Sequence, residues 1–168
     1  MKPTMISIVS KKNSGKTTLL EKLIPELKNR GYRIGTIKHD THGFSIDHEG
    51  KDTYRHKAAG AETVVISCPW LISVIKDVDQ EKSLDQLSEN YLQDMDLILT
   101  EGYKLGGKPQ IEVYRSTAHD SPLHVKGGKN TLVAMVSDIN VDMGVPCFDI
   151  NDIRGLADFI EKTFIKKS

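Results

Sequence analysis

The fold is decided by residues 10–18, which read Ser10-Lys11-Lys12-Asn13-Ser14-Gly15-Lys16-Thr17-Thr18. An alternating apolar run, Met5–Val9, comes before them, and apolar residues at helical spacing follow. These later residues are Leu19, Leu20, Leu23, Ile24 and Leu27. A Gly-Lys-Thr tripeptide between a strand and a helix predicts a phosphate loop.

The chemistry expected of this loop follows from its position at the start of a helix. A turn entering a helix directs several unpaired backbone N–H groups at one point, and the helix dipole adds about half a positive charge there. Gly15 lets the backbone approach a phosphate, Lys16 supplies a cation for the outer phosphates, and the Thr17 hydroxyl can ligate Mg²⁺. An incidental lysine at a helix N-terminus is the alternative, which the flanking strand and amphipathic helix disfavour.

One position departs from the usual pattern G-x-x-x-x-G-K-[ST], because Ser10 stands at the first glycine. Serine tolerates positive φ poorly, so we expect the entry to the loop to differ in shape. Asn13 tolerates left-handed geometry better than most residues and can supply part of the missing freedom. The nucleotide-binding residues predicted from the loop are Ser10, Asn13, Ser14, Gly15, Lys16, Thr17 and Thr18.

Length and composition indicate one ordinary globular domain spanning residues 1–168. Of the residues 38% are hydrophobic and 27% are charged, and the formal net charge is zero. This balance gives no field that would attract nucleic acid or a membrane, so neither is expected as a partner. No apolar run approaches the ~18 residues of a membrane span, and no signal peptide is recognisable, which predicts a cytoplasmic protein. Cys68 and Cys147 are expected to be buried small hydrophobes in a reducing cytosol.

The order of the apolar runs predicts an α/β protein. We expect the first helix to end near Asn29-Arg30, before Gly31, and Tyr32–Ile37 to form the second strand. Strand, helix and strand within about 35 residues imply a right-handed crossover and a parallel sheet. The sequence therefore predicts the three-layer phosphate-loop NTPase fold, with a mainly parallel sheet and an added antiparallel strand segment.

The remaining elements follow from the same patterns. A continuous β-branched run, Thr63–Ser67, predicts a buried strand that pairs antiparallel with Leu71–Ile75. Residues 116–130 are polar and contain Pro122 and Gly127-Gly128, so we expect an exposed excursion there. The other predicted elements are helices over Asp52–Ala59, Ser83–Leu92 and Ile153–Ile165, and strands over Leu97–Thr100, Gln110–Tyr114, Leu132–Val136 and Pro146–Phe148.

The acidic residues can be sorted by their place on the strands, because ligands of parallel α/β sheets lie beyond the carboxyl ends of strands. Asp40 follows the second strand and Glu101 follows Leu97–Thr100, so both are candidates to hold Mg²⁺ or to orient its water. Asp96 lies at the start of its strand, about 13 Å below that edge, and is expected to be a turn residue. Lys16 and Glu101 are the candidate catalytic residues.

Two further features bear on the nucleotide. Gly102 directly follows Glu101 and provides a joint that can respond to a γ-phosphate, as in switch loops. Asp138 follows the Leu132–Val136 strand, where a carboxylate can accept hydrogen bonds from guanine N–H groups and favour GTP over ATP. The residues around Asp138 do not spell the usual Asn-Lys-x-Asp, so Asp138 is a candidate guanine contact only.

The segment after the second strand is polar and rich in histidine. It holds His39, His42 and His48, but zinc sites usually need closed sets of Cys and His, and no Cys-x-x-Cys is present. Basic residues run through this segment into the next helix, where they form either a solvated face or a second anion site near the nucleotide. These residues are Lys38, Lys51, Arg55, His56 and Lys57.

Three blocks of sequence, together with the loop, resemble one known family. They are Ile37-Lys38-His39-Asp40-x-His42-Gly43-Phe44, Gly50-Lys51-Asp52-x-Tyr54-Arg55-x-x-Ala58-Ala59-Gly60-Ala61 and Leu99-Thr100-Glu101-Gly102-Tyr103-Lys104. The chain is similar in these blocks to the molybdopterin-guanine dinucleotide biosynthesis protein B family, and the similarity extends to about Asp138. The second block is its most specific part.

The resemblance implies a GTP-binding protein that assists attachment of GMP to molybdopterin, as an accessory to the guanylyltransferase that performs the transfer. It also implies weak GTP hydrolysis and a homodimer. GTP and Mg²⁺ are the implied cofactors, and the molybdopterin guanylyltransferase, with molybdopterin itself, the implied partners. By position, Gly15, Lys16, Thr17 and Thr18 would bind phosphates and Mg²⁺, with Glu101 near the metal.

Other functions are compatible with the same loop. A small-molecule kinase uses such a loop for phosphoryl transfer, but kinases usually close an arginine-rich lid over the phosphates. Residues 116–130 carry Lys126 and Lys129 without an arginine cluster. A metal-delivery GTPase is suggested by the histidine-bearing segment expected beside the nucleotide. A non-enzymatic adaptor, in which a bound nucleotide is merely structural, is the third alternative.

Overall fold

A computed structural model describes residues 2–127 and 131–165 of the chain. The strands are β1 (Thr4–Val9), β2 (Ile34–Lys38), β3 (Thr63–Cys68), β4 (Leu71–Lys76), β5 (Leu97–Glu101), β6 (Gln110–Tyr114), β7 (Leu132–Ser137) and β8 (Cys147–Asp149). The helices are α1 (Lys16–Asn29), α2 (Asp52–Ala58), α3 (Leu84–Tyr91) and α4 (Ile153–Phe164). Every helix and strand predicted above is present, with ends that differ by a residue or two.

The main sheet has six strands in the order β2-β5-β1-β6-β7-β8. Each neighbouring pair in it is parallel, so the carboxyl ends of the strands meet at one edge. β1 lies between β5 and β6, and the loop that follows it therefore leaves from the middle of that edge. The predicted α/β fold with a parallel sheet is confirmed.

Helices cover both faces of this sheet. Ile6 and Ile8 of β1 point to one face, where they join the core cluster that contains buried residues of α1 and α4. Met5 of the same strand points to the other face and packs with Leu84 of α3 and Ile98 of β5. This alternation along single strands is what a sheet buried on both faces requires. The predicted three layers are therefore present.

The last helix begins at the acidic residue next to its first turn. Asp152 is the N-cap of α4, and its side chain accepts a hydrogen bond from the Gly155 backbone N–H at 3.0 Å. Such a bond satisfies one of the N–H groups that a helix start leaves unpaired. On the inner side of α4, Leu156, Ala157 and Ile160 are buried in the core.

Residues Asp40–Ser83 form a second compact unit. Within it, β3 and β4 pair antiparallel in a two-stranded sheet of their own, as predicted, and α2 packs against β3. The predicted burial of Thr63–Ser67 is wrong: Val64 is buried, but Val65 and Ile66 are 58% and 55% exposed. A β-branched run indicates a strand well, but its burial depends on helices covering the sheet, and these strands lie outside the main sheet.

Three smaller expectations have mixed outcomes. Cys68 is exposed and Cys147 partly exposed, and both are free thiols, so the predicted burial of the cysteines is wrong. The described part of the predicted excursion, residues 116–127, is largely exposed, while 128–130 lie outside the described residues. Among the described residues, no helix has both the length and the apolar character needed to cross a bilayer. The expectation of a single domain over 1–168 stays a prediction.

Candidate functional site

The loop between β1 and α1 (Ser10–Gly15, the β1–α1 loop) opens at the middle of the carboxyl edge of the sheet. Gly15 is the N-cap of α1 and has φ 93°, a left-handed conformation that glycine adopts without steric cost. Asn13 has φ 61° and is the non-glycine residue with positive φ among the described residues, as expected of its tolerance for this region. Ser10 has no positive φ, so the serine needs no special backbone geometry there.

The Ser10 side chain accepts a hydrogen bond from the lysine of the loop, Lys16. The Lys16 Nζ atom donates a hydrogen bond to Ser10 Oγ at 2.8 Å, and the Ser10 hydroxyl in turn donates to the Lys11 carbonyl at 2.5 Å. The Ser14 hydroxyl donates to the same carbonyl at 3.1 Å. Both serine side chains are therefore turned into the loop, and the ammonium group of Lys16 is kept at its entrance.

The electrostatic setting of Lys16 favours an anion. Burial lowers the pKa of Lys16 below its usual value, the Glu101 carboxylate opposes that shift, and the cations Lys104 and Lys38 lower the pKa further. Cations thus converge on the start of α1, where the helix dipole already adds positive potential. A phosphate group bound here would relieve this mutual repulsion.

Thr17 and Glu101, both predicted metal-site residues, meet in the structure. Glu101 is the last residue of β5, and its backbone pairs with Ile8 of β1 and Lys38 of β2. The Thr17 hydroxyl donates to Glu101 Oε1 at 3.1 Å. A hydroxyl and one carboxylate are a typical protein contribution to Mg²⁺, which takes its other ligands from water and substrate phosphates. The described residues contain no cluster of three or more His, Cys, Asp or Glu that would hold a metal without such help.

Gly102 turns the chain directly after Glu101. Its φ is 98°, and a Cβ atom at this position would lie 3.4 Å from the His39 carbonyl oxygen. The His39 backbone N–H donates to the Glu101 carbonyl at 2.9 Å, and the His39 ring stacks on Tyr103 with centroids 4.6 Å apart. Glycine adopts this left-handed conformation without steric cost, so the chain can turn directly after the last residue of β5.

Two other predicted site residues have structural partners. Asp96 lies just before β5, at the opposite end of the strand from Glu101, and accepts a hydrogen bond from the Arg33 backbone N–H at 2.7 Å. This long-range contact joins the segments that lead into β2 and β5. Asp138 accepts from the Ser116 backbone N–H at 2.9 Å and from its hydroxyl at 3.2 Å. These hydrogen bonds, the backbone one first, lower the pKa of Asp138. Asp138 therefore anchors the start of the excursion, and its contact with guanine stays a prediction.

Asp40 lies in the second unit. Its Oδ1 atom accepts a hydrogen bond from the His42 backbone N–H at 2.9 Å, a local turn contact. On α2, Lys57 pairs with Asp77, while Arg55 is 73% exposed beside the exposed Asp52. The roles of Asp40 in metal binding and of this basic helix in anion binding stay predictions.

The structure also brings residues to the β1–α1 loop that the sequence reasoning missed. The excursion after β6 contacts the loop twice: His119 Nε2 lies 2.6 Å from the Lys12 carbonyl oxygen, and Lys11 Nζ donates to Ser121 Oγ at 3.0 Å. The Arg115 guanidinium packs beside Gly15. No pattern in the sequence places β6 next to β1, so this approach to the loop follows only from the strand order of the sheet.

Hydrogen bonds to a buried carboxylate hold the excursion in place. Glu112 of β6 is 1% exposed and accepts hydrogen bonds from the backbone N–H groups of Leu123 and His124. His124 Nδ1 lies 2.7 Å from the same carboxylate, and Nε2 lies 2.8 Å from Gln110 Oε1. The Gln110 amide nitrogen donates in turn to the Lys104 carbonyl. The Glu112 carboxylate thus joins β6 to residues 123–124 through three contacts, two with backbone N–H groups and one with the His124 ring.

Fold and site together define a class: α/β proteins with a doubly wound parallel sheet, in which the first strand–loop–helix unit presents a cationic loop at the carboxyl edge. Residues 5–138 match the sequence profile of the family described as Molybdopterin guanine dinucleotide synthesis protein B. The chain belongs to this family, and the resemblance noted in the sequence is confirmed.

Individual relatives agree with this assignment. The chain is 34% identical to the molybdopterin-guanine dinucleotide biosynthesis adapter protein of Escherichia coli K12, covering 98% of this chain and 95% of the relative. It is also 34% identical to the protein of the same name from Haemophilus influenzae, covering 94% and 87%. A crystal structure of molybdopterin-guanine biosynthesis protein B is 31% identical, with a TM-score of 0.72 over 94% of this chain and 97% of that one. Bacillus subtilis MobB, 23% identical with a TM-score of 0.77 over 98% and 99%, shows the same fold.

Replacing His124 by alanine should destabilise the protein by about 1–3 kcal/mol, because it removes a side-chain hydrogen-bond partner from the buried Glu112 carboxylate. Urea unfolding of His124→Ala and of the wild type measures the difference in unfolding free energy. His56→Ala, at an exposed position of α2, is the matched control and should change stability by no more than about 0.5 kcal/mol. A loss in His124→Ala no larger than that of the control would contradict the stabilising role of this contact.

Proposed function

We propose that this protein is a GTP-binding adapter of molybdenum cofactor biosynthesis. It binds GTP with Mg²⁺ at the β1–α1 loop and assists the guanylyltransferase that converts molybdopterin to its guanine dinucleotide form. Family membership supports the pathway, and relatives carry the name adapter protein. The observation that carries the nucleotide part is the cluster of cations around Lys16 at a helix start, with Thr17 and Glu101 joined beside it.

Each predicted group has a task in this proposal. The N–H groups of the loop and the Lys16 ammonium bind the phosphate chain, and Lys16 moves from Ser10 Oγ to a phosphate oxygen when nucleotide enters. Thr17 ligates Mg²⁺, and Glu101 binds the ion or its water. Asp138 is proposed to accept hydrogen bonds from the guanine edge. To do so it gives up part of its contact with Ser116. Magnesium would supply Lewis-acid neutralisation of the phosphate charge when bound.

Hydrolysis in this proposal is slow. Glu101 can orient a water through the metal, but its carboxylate is shared with the Thr17 hydroxyl and is not held as a separate general base. Slow turnover suits an adapter, because the bound nucleotide then persists while a partner enzyme is engaged.

Affinity capture from an extract of cells grown with molybdate tests the partner. The guanylyltransferase should be retained, and its absence at every nucleotide state would contradict the adapter role.

The protein is further proposed to work as a homodimer in which β3 and β4 supply the contact. A two-stranded sheet alone is marginally stable, and its outer edges expose unpaired backbone groups. Large apolar side chains of this hairpin are exposed, with Trp70 at 85% and Ile72 at 67%. Exposed apolar surface of this kind marks an interaction site. Val65, Ile66, Leu71 and Val74 belong to the same exposed set.

Lys16→Ala should weaken Mg²⁺·GTP binding roughly ten- to hundredfold, because it removes charge-assisted contacts of ~1.5–3 kcal/mol. Isothermal titration calorimetry with GTP and ATP, with and without Mg²⁺, measures the effect and the guanine preference. Lys22→Ala is the matched control on the exposed side of the same helix and should bind as the wild type does. Equal affinity of Lys16→Ala and the wild type would mean that nucleotide binds elsewhere, and indifference to the base would remove GTP from the proposal.

A double variant, Trp70→Asp with Ile72→Asp, should convert a dimer into a monomer, because two carboxylates would have to be buried at the contact. Sedimentation velocity across a range of protein concentrations measures the assembly state. Leu105→Asp, at a fully exposed apolar position outside the hairpin, is the control and should stay dimeric. A wild type that sediments as a monomer at all concentrations would contradict the homodimer.

A further inference from the structure

Arg115 is the first residue after β6, on the strand next to β1, and its side chain reaches the β1–α1 loop. A Cβ atom built on Gly15 would lie 3.4 Å from Arg115 Nε, 3.7 Å from Nη2 and 3.9 Å from Cζ. The guanidinium therefore lies in van der Waals contact with the space in front of the glycine. A phosphate loop keeps that space free of a side chain so that an anion can approach the backbone.

The guanidinium has an unsatisfied donor. Arg115 Nε is buried and has no hydrogen-bond partner within residues 2–127 and 131–165. A buried N–H group without an acceptor is destabilising, more so on a charged side chain, and such groups are rare in native proteins. Arg30 shows the ordinary arrangement in the same chain, because its guanidinium is paired with Glu26, Asp158 and Glu161.

The backbone around Arg115 is fixed on both sides. Its carbonyl oxygen accepts hydrogen bonds from the N–H groups of Ala118 and His119, each at 3.1 Å. Ser116, the next residue, is held by both oxygens of Asp138. Both Asp138 oxygens are thus engaged with Ser116. The chain holds the guanidinium beside the loop and leaves its Nε donor without an acceptor among the described residues.

We propose that Arg115 is a phosphate-binding residue that donates hydrogen bonds to the nucleotide bound at the β1–α1 loop. The inference rests on the proposed nucleotide-binding function and adds a second cationic side chain to it. This side chain follows β6, whereas Glu101 ends β5 on the other side of β1. A guanidinium forms bidentate, charge-assisted hydrogen bonds with phosphate oxygens, which supply the acceptor that Nε lacks. Since the group is in place before nucleotide binds, its contact forms in the ground state and acts on affinity more than on turnover.

The test compares Arg115→Gln, Arg115→Lys and Arg115→Met with the wild type, using Mg²⁺·GTP, Mg²⁺·GDP and inorganic tripolyphosphate as probes in calorimetry. Arg115→Gln should weaken binding of all three probes roughly ten- to hundredfold, and Arg115→Lys should recover part of the loss. The KM for GTP should rise by a similar factor while kcat changes less than threefold. Arg33→Gln is the matched control, because Arg33 is exposed and paired with Asp96 at the other end of the sheet.

A stability measurement separates binding from packing. Arg115→Met keeps the length of the side chain and removes the unpaired donor, so without nucleotide its melting temperature should rise by about 2–4 °C. With saturating Mg²⁺·GTP the order should reverse, because the wild type gains more from the ligand. A merely structural arginine predicts the opposite: a lower melting temperature in Arg115→Met with and without nucleotide, and unchanged affinity.

The outcomes distinguish this inference from the function on which it rests. If Arg115→Gln binds every probe as the wild type does while Lys16→Ala loses affinity, Arg115 is not a phosphate contact and the nucleotide function stands. If tripolyphosphate binding depends on Arg115 but guanine nucleotides are not preferred, the anion contact stands and GTP specificity fails. If the wild type binds none of the three probes, both proposals are overturned.

Discussion

The candidate site is organised by positive charge concentrated at one loop with little negative charge to balance it. Lys16 begins a helix, so its ammonium lies near the positive end of the helix dipole and near two further lysines, Lys38 and Lys104. Glu101 is the carboxylate that opposes them. Ser10 stands where the usual pattern has glycine. Its hydroxyl is uncharged and accepts a hydrogen bond from the Lys16 ammonium. An arrangement of this kind costs stability in the empty protein and is relieved by an anion with several negative oxygens.

The parallel sheet is what makes this convergence possible. Because β1 is central, the residues that end β5 and β6 are brought to the same loop from opposite sides, Glu101 from one and Arg115 from the other. Gly102 turns the chain away immediately after Glu101, and the contacts of Glu112 with residues 123–124 hold the excursion that follows Arg115. Core packing, strand order and a buried carboxylate therefore act together to place a few polar groups at one edge.

Much of this could be predicted from the sequence, for identifiable reasons. The loop, its flanking strand and helix, and the sorting of Glu101 from Asp96 rest on local patterns and on one rule of parallel sheets, and the structure places these residues accordingly. The exposure of Val65 and Ile66 could not be predicted, because a β-branched run indicates a strand without showing what covers it. The exposure of Cys68 could not be predicted for the same reason, since this residue lies at the end of that strand.

Contacts between residues far apart in sequence could not be predicted either. The contacts of Arg115 with Gly15 and of Asp138 with Ser116 join residues far apart in sequence, and no spacing or periodicity encodes them. The position of Asp138 after a strand made it a candidate guanine contact, whereas the structure gives it a partner within the chain, Ser116. Strand order would have been needed to see that the residue after β6 approaches the loop.

A crystal structure of the protein with GTP and Mg²⁺ would show whether the cationic loop binds nucleotide. The triphosphate should fill the β1–α1 loop, and Lys16 Nζ should leave Ser10 Oγ to contact a phosphate oxygen. Mg²⁺ should lie beside the Thr17 hydroxyl. A loop without nucleotide at saturating concentration, with Lys16 still bonded to Ser10, would mean that this loop is not the nucleotide site.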